Sequence, residues 1–164
     1  MSRRQRYRAA KVYTPDRVYN SVAITKLRDM MMLSGKQEKT YRLILEGLEE
    51  LGKKIKTKDE DARRKEIIDL FDQAIAKVKP RVECISKRLG GSNVQVPVVV
   101  SPDRQLTLAL RWLIRFSRKR KEKSMGLKLG AELNDILVGR GETTAWFRQI
   151  LKMAAASAVN AKGG

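Results

Sequence analysis

Apolar residues recur at helical spacing along most of this chain, and the rhythm changes to alternation only around Gly90-Gly91. That change constrains the fold more than any other feature, because a 3.6-residue period builds helices and a two-residue period builds strands. Ala23, Ile24, Leu27 and Met31 mark a first helix, with Asn20 or Ser21 as its cap. The run Met30-Met31-Met32-Leu33 closes it before Ser34-Gly35-Lys36, and its methionines read as core filler. Tyr41, Ile44, Leu45, Leu48 and Leu51 line a second helix that ends near Gly52. Ile67, Phe71, Ala74, Ile75 and Val78 line a third, stopped by Pro80. Between them, residues 53–65 have no apolar period and read as a solvated loop or a frayed helix start.

The alternating stretch has Val82, Cys84 and Ser86 interleaved with Glu83, Ile85 and Lys87. After Gly90-Gly91-Ser92-Asn93 come Val94, Val96, Val98 and Val100. Two such runs around a Gly-Gly turn predict a β-hairpin. Pro97 lacks an amide donor and belongs at an open edge. A two-stranded ribbon has little stability of its own, so this one is an arm that leans on a body or a partner.

Ser101-Pro102-Asp103 opens a fourth helix with a cap, a proline in the first turn and an acid at the positive dipole end. Leu106, Ala109, Leu110 and Leu113 face the core, while Arg104, Arg111, Arg115 and Arg118 lie on another side, where their guanidiniums stack in succession. Lys119, Arg120, Lys121 and Lys123 extend that stripe. A fifth helix spans about Ser124 to Val138 with Leu129, Leu133, Ile136 and Leu137 inside. Its Gly126 and Gly130 cost about 1 kcal/mol each in propensity but permit close packing. After the break at 139–141, a sixth helix runs from about Glu142, with Trp146 or Phe147, Ile150, Leu151, Ala154 and Ala158 apolar. The fold class is therefore mostly α: a bundle of about six helices with a protruding two-stranded β-hairpin between helices three and four. A basic arm at 1–19 precedes a single helical domain at 20–164, whose hairpin occupies about 81–100.

Charge decides the function class. Lys and Arg number 36 against 18 Asp and Glu, a net charge of +18. Such a field attracts a polyanion, and neutralising it relieves self-repulsion. The chain has no histidine, hence no imidazole base and no His-supported metal site, and its single cysteine, Cys84, excludes an internal disulfide. No catalytic residue, metal or cofactor is expected, and no apolar run is long enough to span a membrane. Gly90-Gly91 lacks the spacing of a phosphate-binding loop, and Asp59-Glu60-Asp61 lacks a calcium-loop pattern.

Three basic elements remain. The arm carries Arg3, Arg4, Arg6, Arg8 and Lys11 with Tyr7, Tyr13 and Tyr19 interleaved, and reads as an extended tail that orders on RNA. Lys87 and Arg88 sit at the hairpin tip, and the stripe runs from Arg111 to Lys123. Three such elements flanking a packed core point to nucleic acid. Arginine suits bidentate phosphate contact, and RNA is favoured over DNA because no recognition helix, zipper or finger is visible. The rivals are a free-standing nucleoid-type DNA binder and a carboxylate-dependent nuclease.

Lys79-Pro80-Arg81-Val82-Glu83, Arg88-Leu89-Gly90-Gly91-Ser92 and Gln95-Val96-Pro97-Val98 resemble the bacterial-type small-subunit ribosomal protein family conventionally numbered seven. Leu108-Ala109-Leu110-Arg111-Trp112-Leu113, Arg118-Lys119-Arg120, Lys123-Ser124-Met125 and Ala131-Glu132-Leu133 continue the match, which covers nearly the whole chain in order. The resemblance implies a structural constituent of the small ribosomal subunit that binds the 3′ major (head) domain of its ribosomal RNA and supports head assembly. It also implies exit-site transfer RNA and messenger RNA nearby, and neighbouring head and platform proteins as partners. RNA contact is carried by resemblance onto Arg3, Arg4, Lys36, Lys79, Arg81, Arg88, Arg111, Arg118, Arg120 and Lys123. The charge pattern adds Arg6, Arg8, Lys87, Arg115 and Lys119 to this RNA-binding set. Lys152-Met153-Ala154-Ala155-Ala156-Ser157 keeps part of the family's last helix but lacks its His-Tyr-Arg-Trp finish, and residues 53–65 look longer and more charged than usual. These departures suggest an organellar ribosome in the mitochondrial matrix, with plastid stroma or bacterial cytoplasm as alternatives.

Overall fold

Five of the six described helices begin with a side-chain cap or a first-turn acid at their exposed amides, whereas the Ser21 side chain expected to cap the first makes no such bond. The computed structural model describes residues 13–53, 55, 57, 59–89 and 91–160. In order they form α1 (Val22–Met31), α2 (Gln37–Gly52), α3 (Glu60–Val78), β1 (Val82–Leu89), β2 (Ser92–Val99), α4 (Pro102–Lys119), α5 (Met125–Val138) and α6 (Glu142–Asn160). Six helices with one hairpin between α3 and α4 is the expected architecture. None of the described helices is long and apolar enough to cross a membrane.

Extended Ser101 precedes Pro102 in the first turn of α4 as expected, but it caps through its carbonyl, which accepts from Gln105 N, and not through its hydroxyl. Ser124 caps α5 with its side chain, the hydroxyl accepting from Leu127 N at 3.1 Å and donating to Glu46 at 2.5 Å. Gly139 ends α5 in the left-handed region, φ +81°, where a Cβ would be strained. Of the two readings open for residues 53–65, a helix start holds from residue 60, and residues 60–65 are the first turns of α3. The Asp59 carboxylate accepts from Asp61 N, Glu60 and Asp61 face the positive end of the helix, and Arg64 pairs with both. This turn is held by capping and charge, which an apolar period does not register.

The main core joins α1 to α5 around Ile24, Leu27, Leu48, Phe71, Leu110 and Leu133. Within it α5 packs on α2 through small residues. A Cβ on Gly130 would stand 2.7 Å from the Gly47 carbonyl oxygen, and one on Gly47 would stand 3.0 Å from that of Gly126. A smaller core of Val100, Leu108, Trp112 and Phe116 receives Trp146, Phe147 and Ile150 from α6. The ribbon is antiparallel from Val82 opposite Val99 to Leu89 opposite Ser92, with Pro97 opposite Cys84. It leans on α6, and Arg104 of α4 clasps Glu83 at 2.9 Å. Arg104 thus secures the ribbon and does not join a free arginine stripe, and the carboxylate hydrogen bond raises its pKa.

Not every apolar position is buried, nor every charged one exposed. Leu33 is 66% exposed and Leu151 is 40% exposed, so the apolar run after α1 and the stripe of α6 both reach the surface. Lys26 is buried on α1, where its ammonium donates to the Asp103 carbonyl at 3.2 Å beneath the Tyr13 ring. Residues 13–19, counted with the arm by sequence, are tied to the body. The buried Asp16 carboxylate accepts from Val18 N, Tyr19 N and Tyr41 Oη at 3.0–3.1 Å, and Tyr19 packs on the main core. Burial, then the adjacent Asp16 charge and hydrogen bond, push the Tyr41 phenol up to about 12.

Candidate nucleic-acid interface

On α4 the apolar stripe fixes where the cations go. Trp112, Leu113, Ile114, Phe116 and Ser117 are buried, which turns Arg111, Arg115 and Arg118 outward at i, i+4 and i+7. The three arginines share one groove of about 390 Å³ with Met30 of α1 and Ile114. Arg118 also lines a second groove of about 410 Å³ with Lys36 and Lys39, at the turn from α1 into α2. One continuous basic surface therefore runs from Arg111 to Lys39, with Arg118 common to both grooves. Among the described residues none of these five cations is paired with a carboxylate.

Their anchoring is specific. Arg118 donates one Nη to the Met31 carbonyl at 3.3 Å, fastening the end of α4 to the end of α1 while most of its five donors stay uncommitted. Arg115 lies 5.3 Å from the Trp146 ring centre and 5.7 Å from that of Phe116, and Lys119 lies 5.2 Å from Phe116. Arg115 and Lys119 thus stack on aromatic rings of the smaller core, where the sequence suggested that guanidiniums stack in succession. Lys119 also approaches Glu142 at 4.0 Å.

Arg120 is different. Its guanidinium donates to Glu122 at 2.9 Å and to Glu132 and Asp135 at 2.7 Å each. Burial alone would lower its pKa, but hydrogen bonds to three carboxylates raise it overall, and the Glu122 carboxyl is lowered by its own backbone amide and by Arg120. Glu132 is 1% exposed and also accepts from Thr143 N and Oγ1, which caps the start of α6. The donors of Arg120 are thus engaged by three carboxylates and are not offered to a phosphate. Arg120 therefore stands apart from the other expected RNA contacts and holds the loop before α5 to α5 and α6.

The remaining positions spread out. Lys79 is the half-buried C-cap of α3, and Arg81 is exposed at the root of the ribbon, its carbonyl accepting from Val100 N at 3.0 Å. Lys87 and Arg88 are exposed opposite Val94 and Asn93, roughly 20 Å along the strand from Val82. Lys123 is exposed between α4 and α5. Arg3, Arg4, Arg6 and Arg8 lie outside the described residues. Lys39 was missed by the sequence reading, although its three-residue spacing from Lys36 at a helix start carries the signal.

The family model for ribosomal protein S7p/S5e matches residues 2–158. The "Small ribosomal subunit protein uS7" of Eikenella corrodens is 41% identical over 143 residues, 87% of each chain. Those of Neisseria meningitidis serogroup B and Burkholderia mallei are 41% and 40% identical, covering 87% of this chain and 86% of theirs. These relatives are bacterial and lend no support to a mitochondrial assignment. With the family's pattern running through almost the entire sequence and such identity across most of both partners, the chain belongs to the ribosomal protein S7p/S5e family.

Proposed function

We propose that this protein binds the 3′ major (head) domain of small-subunit ribosomal RNA and supports assembly of the head. As a member of this family it is a structural constituent of the small ribosomal subunit and not an enzyme. The observation that carries the RNA reading is the basic surface from Arg111 through Arg118 to Lys36 and Lys39, whose cations have no carboxylate partner among the described residues. Such a surface releases counterions when it neutralises phosphates, and its rigid placement across α1, α2 and α4 suits a folded RNA recognised by shape. Lys87 and Arg88 on the ribbon form a second contact, near the exit-site transfer RNA and the messenger path. Head and platform proteins are the neighbours, and the bacterial relatives favour the bacterial cytoplasm.

The test compares a head-domain RNA fragment with duplex DNA of equal length across a salt series. Tighter binding of the RNA, with log Kd changing by about 0.7–0.9 per phosphate contact for each decade of salt, supports the reading. Equal affinity and equal slope on the two ligands would replace it with the general DNA binder.

A further inference from the structure

We propose that the groove between the α1–α2 turn and the end of α4 receives one unstacked RNA nucleotide, its base on the apolar floor and its flanking phosphates on the basic rim. This deepens the RNA-binding reading and rests on it. The groove is lined by apolar Met31, Leu33, Leu43 and Met125, by the cations Lys36, Lys39 and Arg118, and by Ser34 and Thr40; we take the apolar side chains as its floor and the cations as its rim. At about 410 Å³ the groove falls within the usual range of about 300–1,000 Å³ for small-ligand sites.

Two observations select this occupant. Leu33 is 66% exposed, at a turn that Ser34 (φ +53°) and Gly35 (φ +71°) bend sharply, so a large apolar side chain is held in water beside three cations. The cations have no carboxylate partner among the described residues, and the positive end of α2 begins next to Lys36. The complement is therefore an apolar plate flanked by negative charge. A paired RNA helix would meet the rim with its phosphates but would leave the floor wet, because its bases are stacked inside. An unpaired nucleotide satisfies both, and it is the kind that costs least to extrude. The two thioethers add polarisable contacts suited to an aromatic ring.

The probe is an RNA hairpin with a single bulged adenine, set against the same hairpin fully paired, titrated into the full-length chain at several salt concentrations. The bulged RNA is expected to bind about tenfold tighter with the same salt slope. Leu33→Ser, at an exposed position that leaves the core intact, is expected to reduce that preference to about twofold without changing the slope. Lys36→Gln with Lys39→Gln is expected to flatten the slope on both RNAs by about 1–2. Equal, salt-dependent binding of both hairpins by the unaltered chain would overturn the groove assignment alone, as would a preference that survives Leu33→Ser. Loss of salt-dependent binding to every RNA would instead overturn the parent reading. In assembled small subunits, a photoreactive benzophenone side chain at Leu33 is expected to cross-link to RNA. Cross-linking to a protein neighbour would assign the groove to a protein and overturn the proposal.

Discussion

Arg118 and Arg120 lie two residues apart at the end of α4, and their surroundings give them opposite work. Arg118 is exposed, fastened by one hydrogen bond to a carbonyl, and opens into two basic grooves. Arg120 is held by Glu122, Glu132 and Asp135, with Glu132 almost completely out of water. Residue type is the same and sequence neighbourhood nearly so. The difference lies in which acids the fold brings opposite: among the described residues, α5 and its preceding loop bring Glu122, Glu132 and Asp135 to Arg120. Net charge thus overstates the interface, since part of the excess is consumed in holding helices together.

Arg120→Met would break the comparison most severely. It leaves the buried Glu132 charge without its cation, which in a buried pair costs about 3–5 kcal/mol, and the partial exposure of Arg120 lowers that to roughly 2–4 kcal/mol. Urea unfolding with an unchanged m-value measures the loss. While the variant remains folded its RNA salt slope should match that of the unaltered chain; a flatter slope would return Arg120 to the interface.

The reciprocal change is Arg111, Arg115 and Arg118 all to Gln. Affinity for the head-domain RNA should fall by roughly ten- to a hundredfold and the salt slope should lose about 2–3, while each surface exchange stays within about 0.5 kcal/mol in stability. Intact circular dichroism with unaltered affinity would make the stripe mere solvated charge. What stability cost there is should come from Arg118, bonded to the Met31 carbonyl, and Arg115, stacked on Trp146 and Phe116, and least from Arg111.

Packing supplies a third contrast, between helices that meet through side chains and the α2–α5 crossing that meets through backbone. Gly130→Ala gains up to about 1 kcal/mol in helix propensity. Its Cβ, however, would stand 2.7 Å from the Gly47 carbonyl oxygen, and overpacking of that kind costs about 1–3 kcal/mol. A net destabilisation of about 1 kcal/mol in thermal unfolding is expected; a rise in Tm would mean that the crossing relaxes.

These regions also differ in how far they could be read before folding. Periods of apolar residues located all six helices and the ribbon, because burial of one face is a one-dimensional pattern. The first turns of α3 were invisible to that method, since Asp59 and the Arg64 pairs stabilise them without burying anything. Leu33 ends an apolar run, yet the turn at Ser34 and Gly35 carries it outward. The outward arginines of α4 were legible from spacing against Leu110 and Leu113. The fate of Arg120 was not, because Glu132 and Asp135 lie 12 and 15 residues away and only tertiary structure pairs them.

The smallest effect belongs to the link that joins residues 13–19 to the body. Tyr41 keeps its proton to about 12, above its ordinary 10.0, because burial and the Asp16 carboxylate disfavour the phenolate. A group whose pKa is raised on folding stabilises the folded state fully below its unfolded value, and that contribution is lost as pH climbs through the folded one. Stability should therefore hold to about pH 10 and decline between 10 and 12 from this source. Tyr41→Phe removes the hydrogen bond to Asp16, at a cost of roughly 1 kcal/mol at neutral pH, and should make the alkaline decline shallower. The difference between the two unfolding curves isolates Tyr41 from the lysines that titrate alongside it. If that difference stays constant from pH 8 to 12, the Asp16–Tyr41 link does not hold its proton, and the attachment of residues 13–19 rests on other contacts, such as Tyr19 packing and the Tyr13–Lys26 contact.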